Sequence, residues 1–235
     1  SDFSLILENA KEEAIKSLDI YKEGKIYLQS LSSQLPPLFV EPKSKENILD
    51  MTAAPGGKTT ELAALSNNEA LITAIEKNKK RFERLKYNIE HLGAKKVSVL
   101  NVDSRNLDEY FMFDKILLDA PCSGSGTLSQ NTIDNFNEEL VNRSISTQKI
   151  LIREAIKHLK VNGELIYSTC SILKEENECI IKDLLEENKN LDLIPLDLSK
   201  YKDIPTLPVE IKGTLCVMPD ELYEGFFVAK IKKNK

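Results

Sequence analysis

Short apolar runs alternate with helical stripes along the chain, and this alternation carries the fold prediction. Apolar runs that predict strands begin near residue 48 and recur at 70–75, 97–102, 115–118, 164–168, 191–196 and 225–231. Apolar residues spaced three to four positions apart predict helices over 2–18, after 57, and over 78–92, 146–159 and 174–188. Strands that alternate with helices predict an α/β fold with a mainly parallel sheet.

The N-terminal part of the chain fits this alternation less closely. Residues 25–29 are predicted as a short strand, and residues 31–37 as a loop or a short helix that stops at Pro36-Pro37. We therefore expect residues 1–24 to be an N-terminal helical extension and residues 25–235 to form one domain.

A glycine turn follows the first main strand and precedes a helix. The chain reads Pro55-Gly56-Gly57 at this point. Glycine lets a ligand approach the main chain closely, and a helix N-terminus offers free N–H groups. The turn therefore predicts a nucleotide-type cofactor site, with a purely structural turn as the alternative. A P-loop is excluded because Thr52 stands where that motif needs glycine, and the Gly-x-Gly-x-x-Gly pattern is absent.

Polar residues end the strands that follow. Glu76, Asp103 and Asp119 each come directly after an apolar run, and Cys170 follows a later one. In an open α/β sheet, ligands bind at the carboxyl ends of the strands. Glu76 is placed to accept hydrogen bonds from ribose hydroxyls, and Asp103 from an adenine amino group. Each carboxylate alone also fits a solvated strand end, so the set as a whole carries the prediction.

The turn after the fourth of these strands reads Asp119-Ala-Pro-Cys122. Methyltransferases that act on amino or amide nitrogens usually carry Asp/Asn-Pro-Pro-aromatic here, whereas a cysteine indicates covalent chemistry. A thiolate that adds to carbon 6 of a pyrimidine pushes electron density onto carbon 5, which can then attack an electrophilic methyl group. The thiol needs a lowered pKa for this addition. Cys122 and Cys170 give one thiol for attack and one for another step.

Composition narrows the partners and the compartment. The net charge is −5 and the pI about 5.3, so RNA or DNA binding would need a local basic patch. The four cysteines form no C-x-x-C pair and lie far from both histidines, which argues against a metal site. We expect a cytoplasmic monomer without disulfides. No membrane span or signal peptide is recognisable in the sequence.

Three motifs together resemble a known family. They are residues 49–59 (Leu-Asp-Met-Thr-Ala-Ala-Pro-Gly-Gly-Lys-Thr), 119–124 (Asp-Ala-Pro-Cys-Ser-Gly) and 167–171 (Tyr-Ser-Thr-Cys-Ser). Weaker matches are 29–34, 175–177 (Glu-Glu-Asn) and 225–229. With these motifs, residues 25–232 resemble the Sun (Fmu-type) family of RNA cytosine-5 methyltransferases. Thr52, where the family usually has cysteine, and Glu76, where aspartate is commoner, depart from its pattern.

The resemblance implies a Rossmann-like class I methyltransferase fold, a sheet of about seven strands with the last antiparallel, and S-adenosyl-L-methionine as methyl donor. It implies that residues 25–235 are the catalytic domain and that tRNA or rRNA is the substrate. Carried over by motif, Cys170 is the nucleophile, Cys122 assists release of the methylated base, and Asp119 holds the cytosine edge near N3 and N4. The catalytic residues implied are Cys170, Cys122, Asp119 and Lys58; the cofactor-binding residues implied are Ala53, Ala54, Pro55, Gly56, Gly57, Lys58, Glu76, Arg81, Asp103 and Asp119.

Two other functions stay open at this stage. A DNA cytosine-5 methyltransferase would use Cys122 as nucleophile, which the Thr-Cys-Ser motif at Cys170 argues against. A binding module that has lost catalysis is disfavoured because both cysteines and the three strand-end carboxylates are present. Basic residues on two predicted helices are candidates for RNA contact, with Arg143 first among them; the others are Lys149, Arg153, Lys157, Lys77, Lys79, Lys80 and Arg81.

Overall fold

A single eight-stranded sheet lies at the centre of this computed structural model, which describes residues 4–7, 10–129 and 133–235. The strands are β1 Asn47–Asp50, β2 Leu71–Ile75, β3 Val97–Leu100, β4 Phe113–Asp119, β5 Leu159–Thr169, β6 Leu191–Ile194, β7 Leu215–Val217 and β8 Phe226–Lys233. Their spatial order is β3-β2-β1-β4-β5-β8-β6, and β7 pairs with the remaining length of β8. From β1 the chain adds β2 and β3 on one side of the sheet, and then β4 and β5 on the other side. Ligands of α/β proteins bind where the strand order switches sides in this way.

The direction of the strands confirms the predicted sheet. Strands β1 to β5 are parallel to one another, whereas β8 runs antiparallel to β5, β6 and β7. The register sets Asp119 at the end of β4 opposite Ser168 of β5. Because parallel strands end at one edge, this pairing brings the two cysteine-bearing turns together.

Helices cover both faces of the sheet. They are α1 Glu12–Ser17, α2 Asp19–Lys22, α3 Leu35–Val40, α4 Gly57–Leu65, α5 Lys79–His91, α6 Glu138–His158 and α7 Glu178–Glu187. Helices α6 and α7 pack on one face, against Ile116 and Leu118 of β4. Helices α3 and α4 pack on the other, against Leu117. The alternation of side chains along β4 explains why neighbouring residues serve opposite cores.

The predicted helix over 2–18 is wrong in extent. The helix α1 begins only at Glu12, and Leu18 is extended, so that α2 forms a separate turn. Of the predicted stripe, Phe3 lies outside the described residues, and Ile6 and Leu7 are exposed. Neither α1 nor α2 contains a buried residue. A short amphipathic helix gains most of its stability from packing its apolar face, and here that face is only partly covered, with Ile15 half-buried.

Three further predictions need correction. Residues 25–29 form no strand, because their side chains pack towards α4: a Cβ on Gly57 would meet the Tyr27 ring at 2.6 Å. Residues 31–37 form a 3-10 turn, Ser32–Gln34, and the start of α3, whose first turn tolerates proline. The helix predicted over 146–159 starts eight residues earlier, where the side chain of Asn137 accepts a hydrogen bond from the Leu140 N–H.

Candidate active site

Two side chains of α5 form hydrogen bonds to the main chain of the glycine turn, which lies between β1 and α4. Gly56 has a φ of 112°, a conformation that favours glycine, and this lets the chain enter the helix. The Arg81 guanidinium donates to the Ala54 carbonyl at 2.7 Å, and the Asn88 amide donates to the Pro55 carbonyl at 2.8 Å. These bonds fix the shape of the turn, whatever ligand it holds.

Glu76 follows β2 and points into the same region. Its side chain is 6% exposed, and its Oε1 accepts from the Asn78 backbone N–H at 2.7 Å. The Arg81 Nε lies 3.4 Å from Oε2. Arg81 therefore contacts both Glu76 and the glycine turn, and it ties two predicted cofactor contacts to one side chain.

Asp103, after β3, is paired with a residue that the sequence did not single out. The Arg105 guanidinium donates to both carboxylate oxygens, at 2.9 Å and 2.5 Å. These hydrogen bonds lower the pKa of Asp103 to about 2, although partial burial opposes the shift. The carboxylate is ionised at neutral pH and keeps lone pairs free for a further donor.

One cavity of about 230 Å³ joins the predicted strand-end residues. Glu76, Asp103, Asp119, Cys122 and Cys170 all line it. The remaining lining residues are Met51, Thr52, Ala54, Ile75, Lys77, Arg81, Ser104, Arg105, Ala120, Pro121, Thr147 and Leu151. The structure thus brings the carboxylates and both thiols to one place, as their positions at strand ends predict.

The two cysteines are in direct contact. The Sγ atoms of Cys122 and Cys170 are 3.2 Å apart, and both thiols are free. The hydrogen bond from Cys122 lowers the pKa of Cys170, and the nearby Lys58 charge acts in the same direction, against burial and Asp119. The same contact, together with burial, raises the pKa of Cys122. Cys170 is the thiol that ionises first, which suits a nucleophile.

Lys58 and Asp119 form an ion pair beside the thiols. The Lys58 Nζ lies 2.9 Å from Asp119 Oδ2 and donates to the Ser33 hydroxyl at 2.6 Å. Burial lowers the pKa of Lys58, but the charge and hydrogen bond of Asp119 outweigh it and raise the pKa overall. The Ser168 hydroxyl donates to Asp119 Oδ1 at 2.8 Å, and the Thr52 hydroxyl to its carbonyl at 2.8 Å. Thr52 therefore has a structural contact of its own in the place usually taken by cysteine.

A second cavity, of about 260 Å³, adjoins the first. The two share Thr52, Ala54 and Asp119. Among residues 53–58, which include the glycine turn, Ala54 lines both cavities and Gly56 lines neither. The others, Ala53, Pro55, Gly57 and Lys58, line only the second. The other residues of the second cavity are Tyr27, Leu28, Gln29, Ser30, Ser33, Asp50 and Glu224.

Two acidic residues of the site received no role from the sequence. Glu224 accepts from the Ser30 hydroxyl at 2.6 Å and stands at the second cavity. Glu176 is completely buried and accepts from Ser123 and Ser171, the neighbours of the two cysteines. The weak Glu-Glu-Asn match at 175–177 was the sequence signal for Glu176. It marked the position but did not predict which residues Glu176 contacts.

Most of the predicted RNA-contact residues on α6 are paired within the protein. Lys149 lies 2.8 Å from Asp183, Arg153 2.6 Å from Glu187, and Lys157 2.7 Å from Glu154. Arg143 is exposed on the first half of the helix.

The described ranges contain no cluster of three or more His, Cys, Asp or Glu side chains able to hold a metal ion. Within the same ranges, no helix has the length and apolar character needed to traverse a bilayer.

Comparison with known proteins assigns a family to this arrangement. The family model described as 16S rRNA methyltransferase RsmB/F matches residues 37–232. A ribosomal RNA small subunit methyltransferase F of Shewanella piezotolerans is 39% identical over 221 residues, which are 90% of this chain and 46% of that protein. A tRNA (cytosine(72)-C(5))-methyltransferase of Pyrococcus horikoshii is 34% identical over 97% of this chain and 58% of that protein. The chain thus spans about half the length of the curated relatives it matches.

A solved structure agrees with these relatives. The crystal structure of NSun6 from Pyrococcus horikoshii with SFG superposes with a TM-score of 0.84 at 34% identity, over 94% of this chain and 56% of that one. SFG is an analogue of S-adenosylmethionine, so that relative binds the expected class of cofactor, and its superposition on this chain confirms the Rossmann-like methyltransferase fold. The motifs, the sheet order and the family match agree, and the chain belongs to the RsmB/F (Sun) family of methyltransferases.

Proposed function

We propose that this chain carries the catalytic domain, residues 25–235, of an RNA cytosine-5 methyltransferase that acts on rRNA or tRNA. The observation that carries the proposal is the contact between Cys122 and Cys170, whose Sγ atoms are 3.2 Å apart in a cavity that Glu76 also lines. The family match and relatives named for rRNA and tRNA methylation support the class of substrate.

The lining of the first cavity fits the nucleoside part of S-adenosylmethionine. Glu76 is buried and offers carboxylate oxygens to ribose hydroxyls, and ionised Asp103 offers an acceptor to the adenine amino group. The glycine turn, at the junction of both cavities, would hold the methionine portion. Bound there, S-adenosylmethionine supplies an electrophilic methyl group.

Cys170 would attack carbon 6 of the cytosine. Its thiolate is favoured by the Cys122 thiol and by the charge of Lys58. The new sulfur–carbon bond moves an electron pair to carbon 5, which can then take up the methyl group. Loss of the carbon 5 proton and breakage of the sulfur–carbon bond restore the aromatic ring and free Cys170.

Cys122, Asp119 and Lys58 would divide the remaining tasks. Cys122, whose Sγ lies 3.2 Å from that of Cys170, is close enough to assist the elimination step. Asp119 can accept from the exocyclic amino group of cytosine, while Lys58 can donate to its ring acceptors. Asp119 lines both cavities and Lys58 the second, so we assign the flipped cytosine to the part of the second cavity that adjoins Cys170, with Glu224 nearby.

Substitution of each cysteine tests this mechanism. Cys170→Ala removes the nucleophile, so neither methylated RNA nor a protein–RNA adduct should form. Cys122→Ala leaves the nucleophile but slows elimination, so a covalent adduct should accumulate. The measurement is a denaturing gel, with total cellular RNA and S-adenosylmethionine as substrates, together with methyl incorporation. Cys179→Ala, at a half-buried thiol on α7, is the control and should behave as the wild type.

Other outcomes contradict the proposal in distinct ways. An adduct in Cys170→Ala but not in Cys122→Ala would exchange the two roles and indicate the chemistry of DNA cytosine-5 methyltransferases. Absence of methyl incorporation in the wild type, together with S-adenosylmethionine binding, would indicate a binding module.

A further inference from the structure

Glu176 lies in the turn between β5 and α7 and has no exposed surface. Both of its carboxylate oxygens are occupied. Oε1 accepts from the Ser123 backbone N–H at 2.7 Å and from the Gln148 amide at 3.3 Å. Oε2 accepts from the Ser123 hydroxyl at 2.6 Å and from the Ser171 hydroxyl at 2.6 Å. One buried carboxylate therefore joins three separate segments of the chain.

These donors stand next to the reactive thiols. Ser123 directly follows Cys122, and Ser171 directly follows Cys170. Gln148, on α6, also donates to the Pro121 carbonyl at 2.9 Å. The turn over residues 119–122, called the Pro-Cys turn from here on, is therefore held on both sides of its cysteine. The backbone bond from the Gly126 N–H to the Cys170 carbonyl links the turns further along. Glu176 therefore contacts the two residues, Ser123 and Ser171, that directly follow the cysteines.

In every bond of this network Glu176 is the acceptor. All four bonds to Glu176 come from neutral N–H or O–H donors, and no lysine, arginine or histidine of the described ranges forms an ion pair with it. A protonated acid or an amide would turn one oxygen position into a donor that faces other donors. A glutamine here would keep the volume of the side chain but break part of the network.

We propose that Glu176 is a positioning residue that holds the Sγ atoms of Cys122 and Cys170 in contact and so keeps Cys170 reactive. The inference rests on the proposed function for its biological meaning, but not for its test. Glu176 would act only through the two cysteines, since it does not line either cavity.

A positioning role and a purely electrostatic role of Glu176 predict opposite changes in the ionisation of Cys170. If Glu176 acts by position, its loss separates the thiols, removes the hydrogen bond from Cys122, and makes Cys170 harder to ionise. If its negative charge alone mattered, its loss would make the thiols easier to ionise. The other charged or titratable groups that influence Cys170 are Cys122, Asp119, Lys58 and Glu224, and Glu176→Gln changes the identity of none of them.

The experiment measures alkylation of each cysteine by iodoacetamide as a function of pH, with the modified peptides resolved by mass spectrometry. In Glu176→Gln, the midpoint of Cys170 alkylation should move upward by about one pH unit, and its rate near neutral pH should fall about tenfold. Glu175→Gln, at the exposed neighbouring position, should leave both unchanged.

A second variant covers a folding failure of the first. Ser171→Ala removes one donor to Glu176 and should move the midpoint in the same direction by a smaller amount. An unchanged or lowered midpoint in folded Glu176→Gln, or in Ser171→Ala if Glu176→Gln does not fold, would overturn the proposal. Because alkylation needs neither RNA nor cofactor, its result is independent of whether the protein methylates RNA.

Discussion

Among single residues, Glu76 gives the most direct test of the cofactor site. Glu76→Ala removes a buried carboxylate that would accept from ribose hydroxyls, so S-adenosylmethionine binding should weaken by about 1–3 kcal/mol. Isothermal calorimetry measures the change. Glu83→Ala, at an exposed position on α5, is the control and should bind as the wild type does. Equal affinities in both variants would show that the ribose is held elsewhere.

Glu61 on α4 gives a prediction about stability and pH. Burial raises its pKa to about 8, against the hydrogen bond from Gln29 and the charge of Lys58, from an ordinary value of 4.5. Between these two pH values the folded protein holds a proton that the unfolded chain releases. The free energy of unfolding therefore falls as pH rises from 4.5 to about 8.

The substitution Glu61→Gln should remove this loss, because an amide does not ionise. The variant should match the wild type near pH 4.5 and become more stable than it as pH rises, by about 1–3 kcal/mol above pH 8. Urea unfolding across the pH range measures the difference. Glu83→Gln, on exposed α5 surface, should show no such trend; a parallel pair of curves for Glu61→Gln and wild type would refute the argument.

At the scale of elements, two glycines set how closely the Pro-Cys turn approaches the start of β8. A Cβ on Gly126 would lie 2.1 Å from the Gly225 carbonyl oxygen, and the Gly225 N–H donates to the Gly126 carbonyl at 2.8 Å. The obstacle is backbone, so no side-chain movement can relieve it. This crossing fixes the distance between the cysteine-bearing edge and the strand that follows Glu224.

Gly126→Ala should therefore cost more than about 2 kcal/mol of stability, whereas an ordinary surface change costs far less. Gly93→Ala is the control, because it has a φ of 67° but nothing within 4 Å of its added Cβ. It should cost about 1 kcal/mol from backbone strain alone. Chemical unfolding of both variants compares crowding with strain, and equal losses would mean that β8 moves aside freely.

The elements also show what the sequence could and could not predict. The strands β2, β4, β5 and β8 have clear apolar runs, and Asn78 caps α5 as its position predicts, accepting from the Arg81 N–H. The three-residue strand β7 is too short for any periodicity to show. Helix α1 has an amphipathic pattern but no buried residue, and a pattern cannot report how far a face is covered.

The candidate active site also has a part that the sequence predicts and a part that it does not. Strand ends predicted that Glu76, Asp103, Asp119 and Cys170 share one edge, because parallel strands end together. Contacts across long sequence separations were invisible: Glu176 to Ser123 spans 53 positions, and Ser30 to Glu224 spans 194. Linear spacing carries no record of such pairs, so Glu176 and Glu224 acquired roles only from the folded chain.

At the scale of the whole molecule, the negative net charge opposes RNA binding. The charge of −5 repels RNA at long range, so binding must rest on local cations. RNA affinity should nevertheless fall steeply between about 50 and 200 mM salt, because each phosphate contact releases counterions. Filter binding with total tRNA and rRNA measures the slope, and a flat response would place RNA recognition outside this chain.

Substitution on α6 locates that effect. Arg143→Ala should reduce both affinity and the salt slope, since Arg143 is exposed on the helix whose Thr147 lines the first cavity. Lys149→Ala, whose ammonium already lies 2.8 Å from Asp183, is the matched control on the same helix and should change less. A larger effect from Lys149→Ala would move the RNA path towards α7.

The position of β8 in the sheet bears on how the protein is made. Strand β8 lies between β5 and β6 and is translated after every other strand of the sheet. Until it emerges from the ribosome, β5 keeps an unpaired edge, and both β6 and β7 lack their partner strand. A nascent chain can thus complete the β3-β2-β1-β4-β5 half around Glu76 and the glycine turn, yet it presents an adhesive strand edge and lacks Glu224 at the second cavity. Until the stretch from Glu224 to Lys233 has been added, the growing protein is exposed to mispairing and its second cavity lacks part of its lining.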